Sequence, residues 1–145
     1  MVTPVWNPGG SGGTYNNHPV GVYYNSGNGQ WAIFQEDKAT MTTGASFNVM
    51  VGTGQSGGGT SALQTATTAN TSGDSTYISN SLTTGNPNAA VFETPNWNPG
   101  GAGDTYDPAP AGIFWADTRG QAAVFNENAS GMPLNAAFNL IIYQS

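Results

Sequence analysis

Few side chains in this 145-residue sequence are suited to catalysis or metal binding: it has one histidine, His18, and no cysteine. A nucleophilic triad needs a base held by a third group beside its nucleophile. His18 instead sits beside Pro19 in a loop, and Ala109 replaces it in the internal repeat described below. One histidine without thiolates also cannot make a zinc site. Glycoside hydrolysis needs two carboxyls facing each other across the bond. Glu36 and Glu127 are the only carboxylates at matched repeat positions. Matched positions do one structural job twice, so both read as carboxylates that are solvated or accept loop N–H groups. Asp104 and Asp107 offer oxygens to Ca²⁺, which takes several hard ligands, but the other copy has Gly13 and Asn16 there. The expectation is a protein that is not an enzyme, with no catalytic residue, no cofactor and at most a weak calcium site.

A different chemistry is carried by aromatic rings next to amides. Trp6, Asn7 and Tyr15 recur as Trp97, Asn98 and Tyr106 around two Gly-rich loops. Aromatic faces with amide and hydroxyl neighbours suit neutral glycans. A tryptophan repeated at equivalent positions also suits a packing anchor, which is the stronger expectation. Trp31 is different, because its counterpart is Ala122. A position that alternates Trp with Ala is free of a shared core and reads as an exposed contact. The Gly-Gly of each Trp-Asn-Pro-Gly-Gly motif precedes no helix, so it reads as a Pro-initiated turn and not as a phosphate cradle.

Composition narrows the partners. Charged residues make up 7% of the chain, the only cations are Lys38 and Arg119, and the net charge is −6. Nucleic acid needs clustered Lys and Arg, so it is excluded as a partner. Anionic membrane surfaces are disfavoured for the same reason, and no apolar run is long enough for a spanning helix. The 16 aromatics set within β-branched runs argue for a folded core. No basic and apolar leader opens the chain, so no signal peptide is expected. The polar, uncharged composition nevertheless suits the exterior of a cell or virion.

The elements that must position these residues come from a duplication. Thr3-Pro4-Val5-Trp6-Asn7-Pro8-Gly9-Gly10 recurs as Thr94-Pro95-Asn96-Trp97-Asn98-Pro99-Gly100-Gly101, and the offset of 91 holds without a gap, giving 21 identities over 49 positions. Alternating runs flank turn-forming residues. They predict hairpins at 20–24 with 30–35 and at 111–116 with 121–126, and closing strands at 46–51 and 137–143. Segments 63–69, 76–79 and 89–93 read as additional strands of the second copy. No window carries helical periodicity. The expected fold is all-β, an antiparallel sandwich or barrel with pseudo-two-fold internal duplication. Residues 1–51 form a first, incomplete repeat, 52–61 a Gly/Ser/Thr linker, and 62–145 a second, complete repeat.

Asn86-Pro87-Asn88-Ala89, Trp-Asn-Pro-Gly-Gly, His18-Pro19-Val20-Gly21-Val22, Trp31-Ala32-Ile33-Phe34 and Ala45-Ser46-Phe47-Asn48-Val49 resemble a repeat found in tandem in uncharacterised bacterial surface or secreted proteins. The resemblance covers nearly the whole chain and implies no assigned activity. It implies units that start near Thr65–Gly73, so that this chain begins within a unit.

Three functions are then in contention. The first is a structural or adhesive module of an extracellular assembly, on a virion (decoration or fibre protein) or as a cell-surface filament or adhesin. It would associate with itself or with neighbouring subunits, and strand addition at the incomplete repeat is one route. The second is a bivalent lectin using both aromatic loops. The third is a hydrolase using Glu36 or Glu127.

Overall fold

Tight turns that demand left-handed backbone set the strand boundaries. Gly29 closes the first hairpin at φ 71° and Gly120 the second at φ 61°, where a side chain would be strained. The computed structural model describes residues 1–10, 12–52, 55–56, 59–101 and 105–144. Its strands are β1 (Val2–Val5), β2 (Val20–Asn25), β3 (Gln30–Gln35), β4 (Ser46–Val49), β5 (Gln55–Ser56), β6 (Gly59–Thr65), β7 (Thr71–Ser72), β8 (Ser75–Tyr77), β9 (Ala90–Pro95), β10 (Ala111–Ala116), β11 (Gln121–Asn126) and β12 (Ala137–Tyr143). The fold is all-β, with no α-helix among the described residues; a single 3₁₀ turn spans Pro99–Gly101.

The second copy is a two-sheet sandwich. One sheet runs β10-β11-β8-β7 and the other β5-β6-β12-β9, every pairing antiparallel. Between them Ala66, Ile78, Val124, Phe138, Leu140 and Ile142 are 0–2% exposed. Along β12 the buried Phe138, Leu140 and Ile142 alternate with the less buried Asn139, Ile141 and Tyr143, the pattern of a strand with one face on the core. The strand β6 begins at Gly59, inside the segment whose composition suggests a linker. A Cβ on Gly59 would stand 2.8 Å from the Tyr143 ring, so a bare backbone is needed where the strand passes under that side chain.

The first copy repeats the second in register but not in extent. Thr3 faces Asn48 across β1 and β4, as Thr94 faces Asn139 across β9 and β12. Val20 faces Gln35 across β2 and β3, as Ala111 faces Asn126 across β10 and β11. The strands β6, β7 and β8 have no counterparts there among the described residues. Two sheets of two strands remain, β1-β4 and β2-β3.

The glycines that face Phe34 and Phe125 across the two hairpins mark a place where the copies differ in tolerance. A Cβ on Gly21 would meet the Glu36 carboxylate and lie 2.8 Å from Phe34 Cε1; one on Gly112 would meet the Glu127 carboxylate and lie 2.8 Å from Phe125 Cε1. Glu36 is 1% exposed and has nowhere to move, whereas Glu127 is exposed and can swing into solvent. Gly21→Ala is therefore expected to destabilise the chain by about 1–3 kcal/mol through overpacking, and Gly112→Ala by clearly less. Urea denaturation of the two variants checks the order.

Candidate functional site

The junction between the copies is built by the second Trp-Asn-Pro-Gly-Gly loop. β9 runs on past Pro95, and Asn96 forms a parallel bridge with Val22 on the outer edge of β2. The Trp97 N–H then donates to the Val22 carbonyl at 3.0 Å. The Asn98 amide spans the next backbone unit: Tyr24 N–H donates to Asn98 Oδ1 at 2.8 Å, and Asn98 Nδ2 donates to the Tyr24 carbonyl at 2.7 Å. An amide side chain thus substitutes for a neighbouring strand and satisfies both backbone groups of an edge residue.

Rings complete the contact. Trp97 meets Tyr23 edge-on at 5.9 Å, Tyr106 meets Phe34 at 5.8 Å, and Trp97 and Tyr106 lie 5.6 Å apart. Lys38 Nζ sits 4.4 Å over the Tyr106 ring. Asp107 N–H donates to Glu36 Oε2 at 3.1 Å, and Asn126 Nδ2 donates to Asp107 Oδ1 at 3.2 Å.

Three carboxyls become buried around this junction. Burial pushes Glu36 up to about 7; the Asp107 N–H opposes the shift, and the charges of Asp107 and Glu93 add to it. Glu93 also reaches about 7, through burial first and the Asp107 charge second. Asp107 is raised by burial, against hydrogen bonds from the Ala109 N–H and Asn126. Oxygens of Glu93 and Asp107 are buried without a partner, which favours the protonated forms.

The candidate residues separate according to copy. Trp97, Asn98 and Tyr106 serve the junction, with Asn98 only 6% exposed. Trp6 and Tyr15 stack at 5.5 Å and remain 45% and 78% exposed, and Asn7 is exposed beside them. The two aromatic loops are therefore not equivalent surfaces, and a bivalent lectin would have only one of them open. Trp31 is 60% exposed, edge-on to Tyr24 at 5.7 Å. Asp107 faces the junction and not a loop surface, and Asp104 lies outside the described residues; among those described, no cluster of three or more ligating side chains could hold a metal. Glu36 is enclosed while Glu127 is solvent-exposed, so equal sequence positions do not do equal work. His18 Nδ1 pairs with the Asp37 carboxylate, which lowers Asp37 through that hydrogen bond.

Apart from Trp31, the residues of the next site were missed by sequence reasoning, and they line an opening between the first copy and the β6–β12 sheet of the second. A cavity of about 490 Å³ is walled by Val22, Trp31, Val49, Met50, Leu63 and Ile141 among others. Val49 is 57% exposed and Val51 86%, although their counterparts Leu140 and Ile142 are 1% and 0% exposed. The signal was present in the repeat alignment: apolar residues fall at core positions of a copy in which, among the described residues, β4 and β3 pair only with β1 and β2.

A family model described as a domain of unknown function (DUF7452) matches residues 1–51 and also residues 21–142. No curated protein and no solved structure matches the chain.

The carboxyls give a pH dependence with a definite sign. Folded-state values near 7, against the ordinary 4.5, mean that the folded chain holds more protons than the unfolded one between those limits. Stability should then fall as pH rises from about 4.5 through about 7, by up to about 3 kcal/mol for a fully buried carboxyl. Thermal melting is expected to be higher at pH 5 than at pH 8. Glu36→Gln, which keeps an acceptor for the Asp107 N–H without the charge, should raise the pH 8 value and flatten the slope.

Proposed function

The chain belongs to the DUF7452 family, and we propose that it is a non-enzymatic structural module whose first copy is completed by strand addition. The exposure of Val49 and Val51 at positions buried in the second copy carries this reading. In the second copy β6 covers the free side of β12, setting Gln64 against Phe138 and Ala62 against Leu140. There, too, β8 covers β11, setting Tyr77 against Ala123 and Ser75 against Phe125. In the first copy the matching strands β4 and β3 pair, among the described residues, only with β1 and β2.

The occupant is a polypeptide segment with the pattern of residues 59–78. Its backbone supplies the ladder to β4 and β3, and its apolar residues enter the cavity as Ala66 and Ile78 do in the second copy. Backbone pairing gives affinity and alternate side chains give register. A surface with so few charges suits a polar extracellular assembly, on a cell or a virion, in which neighbouring subunits supply such segments.

The test is a peptide of residues 59–79 added to the full chain. Saturable binding with a blue shift of Trp31 emission is expected, and Val49→Asp should abolish it. Unchanged emission and no binding at millimolar peptide would refute strand addition here.

A further inference from the structure

The junction described above is made from one loop and the outer edge of one hairpin, and the chain carries a second example of each that, among the described residues, is not joined to another strand or loop. We infer that two copies of this chain associate head to tail, with the Trp6–Tyr15 loop of one copy docked on the β10–β11 hairpin of the next.

The matched residues are those that form the internal junction. Trp6, Asn7 and Tyr15 stand for Trp97, Asn98 and Tyr106, and all three are exposed. On the receiving side, Ile113, Phe114 and Trp115 stand for Val22, Tyr23 and Tyr24, Phe125 for Phe34, and Glu127 for Glu36. The receiving rings are already set: Phe114 and Phe125 lie edge-to-face at 5.4 Å and 87°, as Tyr23 and Phe34 do at 5.7 Å and 81°. Among the described residues the strand β10 pairs only with β11, so its other edge carries no strand where the edge of β2 carries Asn96 and Asn98.

The contacts of the complex follow position by position. Trp6 N–H donates to the Ile113 carbonyl of the second copy, and the Asn7 amide bridges the N–H and carbonyl of Trp115. The Trp6 ring rests on Phe114 and the Tyr15 ring on Phe125. Asn16 N–H donates to Glu127, which accounts for an exposed glutamate at the position where Glu36 accepts the Asp107 N–H. Two internal contacts are not reproduced. Ala129 replaces Lys38, so no cation covers Tyr15, and Asn16 replaces Asp107, so Glu127 meets an amide where Glu36 meets a carboxylate.

A loop on one end and its receptor on the other make a heterologous interface, which propagates unless the rotation closes a ring. The surfaces involved are not the β3 and β4 edges, so either proposal stands if the other fails.

Sedimentation equilibrium of the full chain, from micromolar to millimolar, tests the inference. The average mass should rise past that of a dimer. Trp6→Ala with Asn7→Ala, both at exposed positions, should weaken association by roughly thirtyfold or more with unchanged melting temperature. Glu127→Arg, also exposed, and Phe114→Ala remove the receiving side. An equal mixture of the loop variant with a receiver variant should stop at dimers, because one intact loop and one intact receiver remain. A monomeric wild type at millimolar concentration, undiminished association of the loop variant, or a mixture that forms no dimer would overturn it.

Discussion

The pairing of the Asn98 amide with the backbone of Tyr24 is the interaction on which the arrangement of the two copies depends. It caps the free edge of β2 at the point where β9 can no longer continue as a strand, because Pro95 and the Gly-rich turn redirect the chain. With that amide fixed, Trp97 must fall on Tyr23 and Tyr106 on Phe34. Each neutral hydrogen bond contributes about 1 kcal/mol net and each ring pair about 0.5–1.5 kcal/mol beyond its burial. Against them stands the cost of enclosing Glu36. The junction is thus specific through geometry, and the enclosure of Glu36 offsets part of what its contacts contribute.

Copies that share 21 of 49 aligned residues, the loop motif among them, still occupy different environments. The Trp-Asn-Pro-Gly-Gly loop is a connector in the second copy and an open surface in the first. The apolar residues of the closing strand are core in β12 and lining of an open cavity around β4. A sandwich needs two sheets broad enough to cover one another, and two strands facing two strands do not suffice.

The strands were legible in the sequence because period-two patterning and turn residues act locally: 20–25 with 30–35 and 111–116 with 121–126 lie where Gly29 and Gly120 require them. The duplication was legible as an offset, and it carried the strand register with it. The burial of Glu36 was not, because it is imposed by Asp107, 71 positions away in sequence. Nor was the direction of the junction, since Trp6 and Trp97 stand in the same motif and differ beside it only in Val5 against Asn96. The Gly-rich segment at 52–61 shows composition competing with pairing: Gly59 suits a linker, yet it is the residue that fits under Tyr143 at the end of β6.

The scarcity of charge shapes the chemistry of the junction. Buried carboxylates are ordinarily matched by cations, but Lys38 lies over Tyr106 and Arg119 over Tyr77, so neither is a counter-ion for Glu36, Glu93 or Asp107. Protonation is the remaining way to neutralise them. At the free hairpin the same glutamate is solvated and faces no second carboxyl. An interface formed there through Asn16 would bury one carboxylate, where the internal junction gathers three. The internal junction therefore weakens as its acids ionise, whereas the outer contact proposed from the same motif would have less charge to bury.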